Sequence, residues 1–186
     1  KEYYVYVFAF FTGLILASGL FISKQIDDKK NINKLFGFIG FICGIILLFI
    51  SPQEIISPSK ILILFSGFLA IFALFLPGIS GSFILVILGM YEYIVNLVKD
   101  FDLVNLLPFI AGAGLGVFVI SRFVKYLFNV DKSKTLYFLL GLVLGTLFIP
   151  IRNIYLSTEV FSFGLFFNLF VLAVFGFWIV KKMERL

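Results

Sequence analysis

The sequence predicts an all-α polytopic membrane protein, an inverted-repeat, transporter-like bundle with a broken or re-entrant helical hairpin. Three observations carry the prediction. Of the 186 residues, 62% are hydrophobic and 13% charged, whereas soluble domains carry charge on about a quarter of their residues. The apolar residues fall into runs of about 16 to 21, and a helix needs about 20 to cross a hydrocarbon core of roughly 30 Å. Two of the shorter runs are parted by a small polar turn, Leu76-Pro77-Gly78-Ile79-Ser80-Gly81-Ser82-Phe83. The mean hydropathy of +1.15 fits the same class. No segment is left for a separate soluble domain, so residues 1–186 read as one integral membrane unit.

Tyr3 to Ser23 is the first span, 21 uncharged residues with Tyr3, Tyr4 and Tyr6 placed as an interfacial belt. In the loop that follows, Lys24, Lys29, Lys30 and Lys34 outnumber Asp27 and Asp28. A short Lys-rich loop stays on the cytoplasmic side. Leu35 to Ser51 crosses back, and its Gly37, Gly40 and Gly44 permit close helix contact. Pro52 to Lys60 makes a short external turn. After the hinged pair and Lys99, Asp100 and Asp102, the span Leu103 to Ser121 carries Pro108, Gly112, Gly114 and Gly116. Arg122, Lys125, Lys132 and Lys134, interleaved with apolar residues, predict an interfacial helix on the cytoplasmic face. Thr135 to Ile151 and Phe161 to Val180 are the last spans, and Lys181, Lys182 and Arg185 close the chain inside.

The net charge of +5 sits in these loops. It is therefore a topology signal and not a nucleic-acid surface. Histidine is absent and the single Cys43 lies inside an apolar run, so no His/Cys metal site, disulfide or cofactor is expected. The first residue is Lys1, with no signal-peptide pattern behind it, and the chain reads as part of something longer.

The hinge separates Ile61 to Leu76 from Phe83 to Val98, arms of about 24 Å each at the helical rise. Pro77 lacks a backbone donor, and Gly78 and Gly81 allow angles that other residues avoid, so a continuous helix is not expected. The basic loops at Lys24, Arg122 and Lys181 share one side only if the hinged pair makes an even number of crossings. Re-entrance from outside and two short spans both satisfy this. Unpaired backbone at membrane depth requires a cavity or protein around it. The amides around Ile79 to Phe83, and the positive end of the helix that resumes there, favour an anion, with the Ser80 and Ser82 hydroxyls as further donors. Pro77, Gly78, Ile79, Ser80, Gly81 and Ser82 are therefore candidate substrate-binding residues. A Pro-Gly kink that only fits neighbouring helices together is the alternative.

Two charged residues join the candidates. Glu92 is the one acid within the two arms. It is a candidate for proton coupling or for pairing with a base, or else an interfacial carboxylate between Tyr91 and Tyr93. Arg122, with Lys125, either receives an anionic head group at the cytoplasmic surface or anchors the topology.

A shift of 128 residues lays Phe10 to Ile26 on Phe138 to Ile154, with identities at positions 10, 13, 14, 16 and 26 and Lys24 over Arg152. The first copy runs inward and the second outward, the pattern of an inverted repeat. Residues 1–51 then close a first repeat and 52–186 form a second. The same shift places a counterpart of Pro77 upstream of Lys1, so a first hinge is expected in a missing N-terminal part.

The hinge motif, the following Leu88-Gly89-Met90-Tyr91-Glu92 and the later Gly141-Leu142-Val143-Leu144-Gly145-Thr146 resemble the bacterial polyprenyl-phosphate transporters of the PopT type. Members of that family resemble two inverted halves, each with a Pro-Gly-x-Ser-Gly hinge. This chain shows one hinge and has Ser82 where the first-half version has a second glycine. The resemblance implies a multi-pass protein of the bacterial cytoplasmic membrane that translocates undecaprenyl phosphate for recycling in cell-envelope synthesis. Its implied partners are the polyprenyl-phosphate lipid and membrane lipids, with the missing first half or a second copy as protein partner. Two other classes stay open. One is an ion or small-solute transporter or channel using the same broken helix. The other is a membrane lipid phosphatase, for which the chain offers no histidine and few acids.

Overall fold

The computed structural model describes residues 2–28, 30–50, 55–158 and 162–184. The expectations for Lys1, Lys29, Pro52, Phe161 and Arg185, and for the side chain of Tyr3, fall outside the described residues. Within them all regular structure is helical: α1 (Glu2–Lys24), α2 (Asn31–Ile46), α3 (Lys60–Leu74), α4 (Gly81–Ile87), α5 (Tyr91–Lys99), α6 (Leu103–Thr146), α7 (Phe148–Ser157) and α8 (Phe163–Met183). A 3₁₀ turn, Leu47–Phe49, prolongs α2. Four helical segments are long and apolar enough to cross a membrane, and the α4–α5 pair, bent by 115°, makes a fifth if it counts as one span. The protein is a multi-pass membrane protein.

Two expected boundaries differ. The chain after Arg122 is not a separate interfacial helix, because α6 runs on and leaves helical angles only at Asp131 (φ −160°, ψ 96°). No glycine or proline stands between Gly116 and Gly141, so nothing local stops the helix before the polar run Asp131-Lys132-Ser133-Lys134. The apolar segment Leu103–Ser157 covers 55 residues, about 80 Å at the helical rise and more than twice a bilayer core. It is longer than one crossing needs and is interrupted at Asp131. The last part of the expected span to Ile151 belongs to α7, with Pro150 in its first turn, where a missing N–H costs no helical bond.

The chain divides into two compact units, Lys1–Phe49 with Lys132–Leu186, and Ile50–Asp131. In the first, α1 packs along α8 and α7, with Val5, Ala9 and Leu169 buried at the contact. Among lipid-like side chains, burial itself drives little association, and close packing carries it. Glycines provide that closeness. Gly13 lies against the Ala173 carbonyl and the Phe177 amide, and Gly176 against the Phe10 carbonyl and the Leu14 amide. The part of α6 beyond Asp131 packs on α2 likewise. Gly141 meets the Gly37 carbonyl and the Phe41 amide, and Gly40 meets the Phe138 carbonyl and the Leu142 amide. This is the close contact that the glycine spacing of α2 predicts. Polar ties hold the ends: Lys24 Nζ to Glu184 Oε1 at 2.8 Å, Lys132 Nζ to Asp27 Oδ2 at 3.3 Å, and Arg152 Nη1 donating to the Leu48 carbonyl.

In the second unit α3 lies along α6. Gly67 meets the Phe109 carbonyl, Gly112 the Leu64 carbonyl and Gly116 the Phe68 carbonyl, and the Phe72 and Phe123 rings are 5.8 Å apart. A core of Ile63, Ala70, Leu85, Met90, Ile94 and Leu97 joins α3, α4 and α5, with Leu106 and Phe109 of α6 against it. Buried hydroxyls are paired inside their own helices, as Ser66 Oγ to the Ile63 carbonyl at 2.7 Å shows. Among the described residues no buried side-chain polar atom lacks a partner.

Candidate functional site

The hinge forms a hairpin of unequal arms. Ser59 starts α3 by accepting from the Leu62 amide, and α3 ends at Leu74, short of Pro77. Its 15 residues span about 22 Å. The turn is closed by Leu76 N donating to the Ala73 carbonyl (2.9 Å) and Ile79 N to the Leu76 carbonyl (3.3 Å). Gly78 takes φ 87°, the left-handed region that only glycine enters without penalty. The chain then turns back into α4 beside α3, so close that a Cβ on Gly81 would stand 2.6 Å from the Ala70 carbonyl oxygen. Small Ala70 and side-chain-free Gly81 are what let the two arms meet.

Ser80 is the N-cap of α4, its Oγ accepting from the Phe83 amide at 3.1 Å. The Ser80 and Ser82 hydroxyls lie 3.0 Å apart. Of the amides from Ile79 to Phe83, the two outer ones are thus used by the fold. Those of Ser80, Gly81 and Ser82 donate to no acceptor among the described residues. Ser80 and Ser82 are exposed and Gly81 is half-buried. The geometry is three consecutive N–H groups beside two hydroxyls, between α3 and α4, two apolar helices without an acid. Such a set suits an anion with several acceptor oxygens.

The second arm is not one helix. α4 ends at Ile87 and the chain bends by 115° into α5. Gly89 takes φ 68° at the corner and its carbonyl accepts from the Ile55 amide at 3.0 Å. The chain entering the hairpin and the chain leaving it are thereby tied together at the end away from the hinge. The sequence signal for this corner was a single glycine inside an apolar run, which a helix also tolerates.

Glu92 lies past that corner, exposed in the first turn of α5, where the helix's amide end favours a carboxylate. Arg122 is exposed on α6 with its guanidinium 4.0 Å from the Phe118 ring centroid. α6 turns Gly112, Gly116 and Phe123 toward α3, and at 100° per residue Arg122 and Lys125 stand off that face. The structure brings Pro77, Gly78, Ile79, Ser80, Gly81 and Ser82 together in one turn, with Glu92 past the second corner on α5 and Arg122 on α6.

A polyprenyl-phosphate transporter of Vibrio cholerae is 40% identical over 141 residues, covering 76% of this chain and 46% of that protein. One of Staphylococcus aureus is 28% identical over 166 residues, covering 80% and 58%. The chain spans about half the length of these relatives. No solved structure matches it. The model of the undecaprenyl phosphate translocase-like family matches residues 1–177, and the chain belongs to that family.

Proposed function

We propose that the chain is the substrate-binding part of a carrier, not an enzyme, that moves a polyprenyl phosphate between the leaflets of the bacterial cytoplasmic membrane. Undecaprenyl phosphate, recycled in cell-envelope synthesis, is the substrate. Such a lipid joins an anionic head to a long apolar tail, so its carrier needs polar donors inside an apolar hairpin. The observation that carries the reading is the run of Ser80, Gly81 and Ser82 amides, unused by the fold and flanked by two hydroxyls. They hold the phosphate oxygens, while Gly78 and Pro77 shape the turn and Ile79 borders it. Glu92 and Arg122 act at the two ends of the unit and not on the bound phosphate. Support comes from the family match and from relatives named for polyprenyl-phosphate transport.

The test uses the full-length natural protein in liposomes with labelled undecaprenyl phosphate in one leaflet. Protein-dependent movement to the other leaflet is expected, and none overturns the proposal. Ser80→Asp separates the roles at the hinge. Aspartate keeps the N-cap but sets a negative charge among the phosphate donors, so the protein stays folded and loses lipid phosphate binding.

A further inference from the structure

The depth of the hinge can be read from the register of two helices. α3 and the start of α6 are parallel and matched at an offset of about 46, since Gly67 meets Phe109 and Ala113, Gly112 meets Leu64, and Gly116 meets Phe68 and Ile71. The Phe72–Phe123 ring contact extends the match toward the turn. Leu74, the last residue of α3, is therefore about level with Ile120. Gly81 returns to the height of Ala70, which is about level with Gly116.

α6 also supplies the ruler. It starts at Leu103, just after Asp102, and its first charge is Arg122. The uncharged stretch between them is about 28 Å long, close to one hydrocarbon core. Gly116 is about 9 Å from the Arg122 end and about 20 Å from the Leu103 end. The basic end, with Arg122 and Lys125, belongs to the cytoplasm. The feet of the hairpin, tied through Ile55 and Gly89, lie toward the opposite end.

The geometry points to a hairpin that enters from the external side and carries its phosphate donors across the midplane, so that the Ser80-Gly81-Ser82 cradle serves the cytoplasmic leaflet. The arrangement is a cytoplasm-facing binding state. A lipid phosphate at cytoplasmic head-group depth meets the cradle by sinking about 9 Å, whereas from the outer leaflet it would have to cross about twice that depth of core. This inference rests on the phosphate reading of the hinge for its ligand, but not for its depth.

The experiment labels single cysteines in the full-length protein with a membrane-impermeant maleimide, after Cys43→Ser and replacement of any other native cysteine. Lys125→Cys and Phe101→Cys serve as markers for the two faces. Ser80→Cys is expected to react in inverted vesicles with Lys125→Cys, and to show loss of labelling in intact cells, where Phe101→Cys reacts. Labelling of Ser80→Cys from outside, or from neither face, overturns the proposed depth, and so do markers that react from the opposite sides. Geranyl phosphate added to the inverted vesicles is expected to slow Ser80→Cys labelling. Labelling from inside without that protection leaves the depth standing and removes the phosphate reading.

Discussion

Gly13 and Gly141, 128 positions apart, make one contact twice: each lies against the carbonyl of one residue and the amide of the residue four further on, Ala173 and Phe177 for Gly13, Gly37 and Phe41 for Gly141. The partners are 136 positions apart. Gly176 and Gly40 repeat the relation in reverse, against Phe10 and Leu14 and against Phe138 and Leu142. The end ties follow the same two shifts, Lys24 with Glu184 and Arg152 with Leu48. Equivalent glycines should therefore fail equivalently. Gly13→Val and Gly141→Val each drive a side chain into backbone, and overpacking of this kind costs about 1–3 kcal/mol or more. Both are expected to lower the melting temperature in detergent, while Gly114→Val, at a glycine with nothing within 4 Å, leaves it unchanged.

At the two corners of the hairpin the penalty is conformational. Gly78 and Gly89 have φ of 87° and 68°, and a left-handed residue with a Cβ costs about 1–2 kcal/mol. Gly78→Ala and Gly89→Ala are each expected to reduce stability by that amount, measured by unfolding in detergent. Asparagine, which tolerates this region better, should recover part of the loss.

The serines should separate. Ser80→Ala removes the N-cap of α4, a loss of about 1 kcal/mol, together with a hydroxyl donor. Ser82→Ala removes a hydroxyl whose neighbour in the protein is the Ser80 hydroxyl. Lipid phosphate binding is expected to weaken in both variants and stability to fall in Ser80→Ala alone, read by binding and melting on the same samples.

How much of this was legible in the sequence depended on the kind of residue that set each feature. Pro77 and Gly78 announced the turn, because a missing donor and a missing Cβ act locally and leave few conformations. The close pairing of α2 could be read from Gly37, Gly40 and Gly44 for the same reason. The corner at Gly89 was not read: it is a local helix ending, with the Met90 amide reaching back to the Leu85 carbonyl and Gly89 left-handed, but a lone glycine in an apolar run does not announce one. Nor could sequence show that Ser80 spends its hydroxyl as a cap. Glu92 lies past the bend after Ile87, and the face that α6 turns to α3 is a tertiary fact that spacing along the chain does not encode.

Acid should loosen the start of α6. Asp102 accepts from the Asn105 side chain at 2.7 Å and from the Asn105 amide at 3.2 Å, and these bonds hold its carboxyl below the usual aspartate range. A depressed pKa contributes stability that is fully present above the unfolded value of about 3.9 and lost as pH falls through the lower folded value. Hydrogen exchange in the first turn of α6 is expected to accelerate below about pH 4. Asp102→Asn, which cannot titrate, should abolish that acceleration.

The single backbone bond from Ile55 to Gly89 also bears on how the hairpin is made. It joins the chain ahead of α3 to the end of α4, so the 15 residues of α3 and the seven of α4 form a closed loop of chain. Gly112 and Gly116 seat that loop on α6. A bulky residue at either glycine would unseat the whole hairpin and not α3 alone.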